Sequence, residues 1–294
     1  MNRIIRIYFK ILIDKIILGT AQFGLDYGVN NNIGKIQKKE VFKILDFCVN
    51  NGIRGIDTAG VYGNSESLIG EFISYNKGVK FEITTKIKKD SDSLIEEIDK
   101  SLDNLNVDSI NELLFHSLED FNFYKIQLQN YIQDEKTSFE RCGISLYSNN
   151  EIKDIIDIDY LNSIQFPFNI FDNINHRGDI IRELKNKKFN ITVRSIFLQG
   201  LLLMDLRNLP KKLKPLEQHL QKVKTIVNKY KLDIKNLAIN YCLNQNIDGI
   251  VIGFDSLDQL KGSIKSYTNI HNAEIFNEIN NINIKTELID PRYW

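Results

Sequence analysis

Short apolar runs rich in β-branched residues alternate with amphipathic segments along nearly all of this 294-residue chain, and that alternation limits the fold more than any other feature. Eight runs read as strands: Ile16–Thr20, Ile53–Asp57, Phe81–Lys86, Glu112–His116, Arg141–Ser145, Ser163–Pro167, Ile191–Ile196 and Gly249–Gly253. Between them, apolar residues recur every three or four positions, as in Val41-Ile44-Leu45-Cys48-Val49 and Leu94-Ile95-Ile98-Leu102-Leu105. That is the period of a helix with one buried face. Asn64 or Ser65, ahead of Glu66 and the apolar Leu68-Ile69, reads as a helix cap with negative charge in the first turn. Eight strands alternating with helices over about 250 residues is the (β/α)8 pattern of a TIM barrel. The only long irregular stretch follows the seventh strand, around Met204–Pro215. No Gly/Ser linker, proline-rich tract or composition break divides the chain. A single domain over 1–294 is therefore expected, with 1–14 as an N-terminal extension and 265–294 as a C-terminal tail.

The architectural rival is a doubly wound Rossmann sheet, which would place G-x-G-x-x-G at a strand-to-helix turn. No such motif occurs. Gly19-Thr-Ala-Gln-Phe-Gly24 has the wrong spacing, and no Walker-type phosphate loop is present.

Composition excludes several classes of function. With 38 basic and 38 acidic residues the formal net charge is zero, so no global field draws the chain to nucleic acid or an anionic membrane. Three scattered cysteines, Cys48, Cys142 and Cys242, form neither a disulfide framework nor a C-x-x-C pair, and a reducing cytoplasm is the simplest location. The basic, apolar start suggests a signal peptide, but Arg6, Lys10 and Asp14 interrupt it and no small-residue cleavage site follows. It is also too short and too charged to span a bilayer. The expectation is a strand or helix against the bottom of the domain, or a poorly ordered extension. His116, His176, His219 and His271 are isolated in sequence, so no metal site is expected.

Four ionisable residues stand at strand exits. Gly-Ile-Asp-Thr-Ala-Gly-Val-Tyr-Gly-Asn-Ser-Glu (55–66) breaks from a strand into a glycine-flanked loop, placing Asp57 and Tyr62 where the strand ends. Lys86 ends the third strand and His116 the fourth. In a (β/α)8 barrel the carboxyl ends of the strands build the active site. A phenol with a pKa near 10 is a poor proton donor at neutral pH, and a nearby ammonium would lower that pKa. The expected roles are Tyr62 as general acid, Lys86 as its tuner, Asp57 as the anchor of Lys86 and His116 as the group that orients a carbonyl. Alone, each has an ordinary structural explanation: a turn aspartate, a packing tyrosine, a snorkelling lysine or a core histidine. Their joint placement on three successive strands favours a site.

This constellation resembles the Asp–Tyr–Lys–His tetrad of the aldo-keto reductases, and the resemblance runs from about Ile16 to Ile264. It implies hydride transfer between a nicotinamide cofactor and an aldehyde or ketone, with a sugar-derived carbonyl as one candidate. Leu18-Gly19-Thr20-Ala21-Gln22-Phe23-Gly24 resembles the first-strand signature that reaches the cofactor at Gly19 and Thr20. Cys142-Gly143-Ile144-Ser145 resembles a fifth-strand stretch that grips the carboxamide. Ser145 matches, but Leu146 stands where asparagine is usual. Gln165 matches the sixth-strand glutamine of the same contact. In Val193-Arg194-Ser195-Ile196-Phe197-Leu198-Gln199-Gly200-Leu201, Arg194 replaces an aromatic that stacks on the nicotinamide, and a guanidinium can stack as well. Ser195, Gln199 and Gly200 are the implied pyrophosphate contacts. Gly253, Asp255, Ser256 and Gln259 resemble the adenosine-phosphate loop and helix start. Ser256 occupies a position where a cation commonly meets the 2′-phosphate, with Asp255 beside it. NADP(H) is favoured by the family, and NAD(H) stays open.

Two competing functions fit a barrel of this kind less well. A barrel that retains cofactor as a regulatory or binding subunit would have no need of the intact tetrad. A phosphosugar isomerase or aldolase would need a Schiff-base lysine, or a Gly-Gly phosphate loop after strands seven and eight, and no such loop is seen. The expected partner is a small carbonyl substrate, with neither nucleic acid nor membrane involved, and the protein is expected as a monomer or small homo-oligomer.

Overall fold

A computed structural model describes residues 10–31, 33–134, 137–265, 267–270 and 272–294. Eight parallel strands close in sequence order into one barrel: β1 (Ile16–Gly19), β2 (Gly55–Asp57), β3 (Glu82–Ile87), β4 (Ile110–Phe115), β5 (Phe139–Ser145), β6 (Ser163–Pro167), β7 (Asn190–Arg194) and β8 (Gly249–Gly253). The ring is sealed where β1 lies beside β8, in a register that sets Gly19 opposite Gly253. The first six strand-to-helix units supply helices α1 (Lys38–Asn51), α2 (Ser65–Tyr75), α3 (Leu94–Leu105), α4 (Leu118–Gln133), α5 (Asn149–Ile155) and α6 (Ile174–Asn186). Two helices, α7 (Glu217–Lys229) and α8 (Ile234–Leu243), follow β7, and α9 (Leu257–Lys265) follows β8. This is a single-domain (β/α)8 barrel.

Successive residues of a strand point to opposite faces of a sheet, and here the two faces differ in chemistry. Ile83, Ile164, Phe166, Ile191 and Val193 are buried apolar residues at one parity of their strands. Thr84, Lys86, Ser163, Gln165 and Thr192 are buried polar residues at the other. The polar set is hydrogen-bonded, as burial demands. At one level Glu112 accepts from Thr84 Oγ1 (2.9 Å), Asn190 Nδ2 (3.0 Å) and Ser163 Oγ. At the next level stand Asp57, Lys86 and Gln165.

Several boundaries differ from the sequence reading. β2 begins at Gly55, because the N–H of Ile53 bonds Cys48 O and closes off α1 instead of joining the sheet. β7 stops at Arg194 because Ser195 has a left-handed φ of 60°. His116 lies one residue beyond β4, although its N–H still bonds Ile87 O (2.8 Å). Asn64 holds the cap position of α2 without a side-chain cap bond, and the Ser65 hydroxyl turns away to Thr20 Oγ1 (2.8 Å). Of the N-terminal fourteen residues, 1–9 lie outside the described residues; Lys10–Lys15 are helical, with Leu12 and Ile13 buried. Among the described residues, no helix is long and apolar enough to cross a membrane.

Candidate active site

At the carboxyl ends of the strands a hydrogen-bonded chain crosses the barrel. Lys86 Nζ donates to Asp57 Oδ1 (2.6 Å) and to Thr58 O (3.1 Å). Gln165 Nε2 donates to the other oxygen, Asp57 Oδ2 (2.7 Å), while its carbonyl accepts from Ser145 Oγ (3.4 Å). Arg194 Nε donates to Ser145 Oγ (3.3 Å) and Arg194 Nη2 to Leu146 O (3.4 Å). Lys86 and Asp57 are buried at 1% and 3% exposure, so their charges face each other with almost no water.

The two rings of the expected tetrad meet at this pair. Tyr62 and His116 pack edge to face at 6.3 Å, with Lys86 Nζ 5.3 Å from the Tyr62 ring centre. The phenol does not behave as the sequence reading expected. Burial, and then the Asp57 charge, push its pKa above the ordinary value, and the Arg194 charge opposes them. Burial lowers the pKa of Lys86 itself, and Asp57 opposes that effect. His116 is pushed down to about 4 by burial first and then by the Lys86 and Arg194 charges, so it is a neutral imidazole at physiological pH.

The Tyr62 loop is held by unusually close backbone contact. A Cβ on Gly24 would lie 1.7 Å from Tyr62 O, and one on Gly63 would lie 2.5 Å from Gly24 O. Only two glycines allow the loop after β1 to pass the loop after β2 at this distance.

Beside this centre lies a cavity of about 350 Å³, with Asp57 and Tyr62 on its wall. Gly19, Thr20 and Gly253 line it at the β1–β8 seam. Arg194, Ser195, Gln199 and Gly200 line it after β7, and Asp255 and Gln259 after β8. Ser145 and Gln165 are buried in the hydrogen-bonded chain and do not line the cavity; neither do Lys86 and His116. Ser256 is also absent from the wall, its hydroxyl accepting from the N–H of Gln259 (3.2 Å) as a helix cap.

The turn after β7 is strained. Ser195, Leu198 and Gln199 have φ of 60°, 49° and 54°, a region that L-residues enter at a cost of about 1 kcal/mol or more each. Among the described residues, the N–H groups of Ser195, Phe197 and Gln199 find no acceptor, although all three residues line the cavity. Such a turn is a ready anion site.

Four wall or rim residues escaped sequence reasoning. Gln22 is buried beside Gly253, and a Cβ there would lie 2.5 Å from its amide nitrogen. Tyr27 lines the cavity, with a pKa raised to about 12 by burial and then by Tyr62; its place between Gly24 and Gly28 is a signal that could have found it. Tyr147, two residues past the matched Ser145, lies between the guanidinium groups of Arg194 (4.2 Å) and Arg292 (4.0 Å). Lys235, near the start of α8, lines the cavity, and nothing in the sequence pattern marks it. Among the described residues no group of His, Cys, Asp and Glu could hold a metal ion.

The model of the Aldo/keto reductase family matches residues 15–284. The fold is similar to that of aldo-keto reductase AKR11C1 from Bacillus halodurans in its holo form, at 20% identity and a TM-score of 0.72 over 92% of both chains. It is also similar to the glycerol dehydrogenase AKR11B4 from Gluconobacter oxydans, at 22% identity and a TM-score of 0.69, covering 91% of this chain and 90% of that one. No curated protein sequence matches the chain.

Proposed function

The chain belongs to the aldo/keto reductase family, and from that membership we propose that it is a nicotinamide-dependent reductase of an aldehyde or ketone, with NADP(H) as the favoured cofactor and NAD(H) as an alternative. The observation that carries this proposal is the meeting of Tyr62 and His116 at a dry Asp57–Lys86 pair, beside a cavity whose wall includes Asp57, Tyr62 and an anion-accepting turn. A dinucleotide fits the residues present. The unpaired N–H groups of residues 195–199 suit a pyrophosphate, and the glycine-lined seam at Gly19 and Gly253 leaves room for a ribose.

A nicotinamide bound in the cavity supplies the hydride that goes to the carbonyl carbon. As charge grows on the carbonyl oxygen, Tyr62 gives it the phenolic proton. Neutral His116 donates one hydrogen bond to the same oxygen and fixes its direction. Lys86, held by Asp57, stabilises the phenolate left behind. The small carbonyl substrate enters past Tyr27 and Tyr147; a sugar-derived carbonyl fits this polar, aromatic rim. Three free, buried cysteines suit a reducing cytoplasm.

Titration of the protein with NADPH and NADH, followed by cofactor fluorescence, tests the first half of this proposal, and failure of both to bind overturns it. Tyr62→Phe tests the second half. The ring stays and the proton goes, so the hydride-transfer rate against a panel of aldehydes should fall by about 10²-fold or more with cofactor affinity unchanged. Binding without turnover of any carbonyl would instead point to a cofactor-holding regulatory barrel.

A further inference from the structure

Two cationic residues line the cavity, Arg194 at the end of β7 and Lys235 on α8. Arg194 lies in the electrostatic neighbourhood of Tyr62 and His116. Lys235 shares the wall with Leu203, Gln259 and Ser263. The backbone position of Lys235 is fixed from both sides. Asp233 caps α8 by accepting from the N–H of Asn236 (2.9 Å). The Asn236 amide in turn donates to Thr268 Oγ1 (2.5 Å), just beyond α9. The Lys235 side chain is half-buried, and among the described residues it forms an ion pair with no carboxylate.

The obvious anion site on this wall is already partly filled. Two N-terminal donors of α9 are taken: the N–H of Leu257 bonds Glu40 Oε1 (2.9 Å), and that of Gln259 bonds Ser256 Oγ. Glu40 and Asp255 add negative charge to the same turn. Apart from Arg194, an anion in the cavity therefore has one cationic wall residue to meet, and that residue is on α8.

We propose that Lys235 receives the 2′-phosphate of NADP(H) and so sets the preference of the site between NADP(H) and NAD(H). This rests on the dinucleotide reading above. With the reacting end at Tyr62 and the pyrophosphate at the turn 195–199, the adenosine ribose falls where Asp255, Gln259 and Lys235 stand. Asp255 is suited to accept the 2′-hydroxyl of NAD(H) and repels a phosphate. The ammonium of Lys235 offsets that repulsion and is indifferent to a hydroxyl. A lysine suits the task because its charge sits on a flexible four-carbon stem.

The test is fluorescence titration of Lys235→Met and Lys235→Arg with NADPH and with NADH. In Lys235→Met the NADPH Kd should rise about ten- to a hundred-fold, the value of a charge-assisted contact, with NADH changed less than about twofold. Lys235→Arg should restore most of the NADPH affinity. Equal weakening of both cofactors, or no change in either, overturns the inference while leaving the reductase reading in place. A wild-type protein that binds neither cofactor overturns both.

Discussion

Replacing Asp57 by Asn removes one charge from a buried pair and leaves the other stranded. Lys86 is 1% exposed, its ammonium lies 2.6 Å from Asp57 Oδ1, and its only other acceptor is Thr58 O. The substituted amide can offer one oxygen to Lys86 or to Gln165, but not to both. Its own NH2 group then faces whichever donor is left. Breaking a buried pair from one side costs about 3–5 kcal/mol. With a urea slope of about 3 kcal/mol per molar for a chain of this size, the unfolding midpoint should fall by roughly 1–2 M. Removing both charges in Asp57→Asn/Lys86→Met should recover more than half of that loss, since no unpaired charge then remains. The pH dependence gives a second readout. In Asp57→Asn the opposing Asp57 charge is gone, so burial lowers the folded pKa of Lys86 further below its unfolded value, and the unfolded chain binds the extra proton between them. Stability must then rise with pH toward 10, more steeply than in wild type. A single variant within about 1 kcal/mol of wild type, or a double variant worse than the single, would refute this account of the pair.

The remaining predictions concern His116 and the Tyr62 loop. His116 has a folded pKa of about 4 against about 6.5 unfolded, so its contribution to stability is complete above 6.5 and is lost as pH falls toward 4. The loss should be no more than about 3 kcal/mol and absent in His116→Asn, as urea melts at pH 4.5 and 7.5 will show. Gly24→Ala puts a methyl group 1.7 Å from Tyr62 O and should destabilise the fold by about 1–3 kcal/mol or more while lowering turnover through displacement of Tyr62. Unchanged thermal stability and rate in this variant would mean that the two loops can separate freely.

The barrel, and the meeting of Asp57, Tyr62, Lys86 and His116 at one end of it, were legible because both depend on short-range pattern. The alternation that marks β3 and β6 is the same alternation that turns Lys86 and Gln165 inward, so strand recognition carried the site with it. The bore itself was harder to foresee. Thr84, Glu112, Ser163 and Asn190 look like scattered polar residues until the registers of four strands bring them onto one carboxylate. Ser145 and Gln165, which the motif resemblance marks as carboxamide contacts, are engaged with Arg194 and Asp57 and do not line the cavity. Lys235 and Tyr147 were missed for a different reason. A residue on a helix or an outer loop reaches the site only through packing, which no local spacing records.

The seam between β1 and β8 bears on how this protein is made. The wall of the cavity joins Gly19, on the first strand of the ring to be synthesised, to Gly253, on the eighth. A growing chain that has completed β4 already carries Asp57, Tyr62, Lys86 and His116, but the wall beside them is not complete until the eighth strand arrives. Dinucleotide lying over that seam would be a clasp across the two ends of the ring. At a free concentration one hundred times its Kd it would add about 2.7 kcal/mol to the closed barrel and nothing to a chain with the ring still open. Cofactor supply during synthesis would then govern the yield of intact protein as well as its rate of turnover.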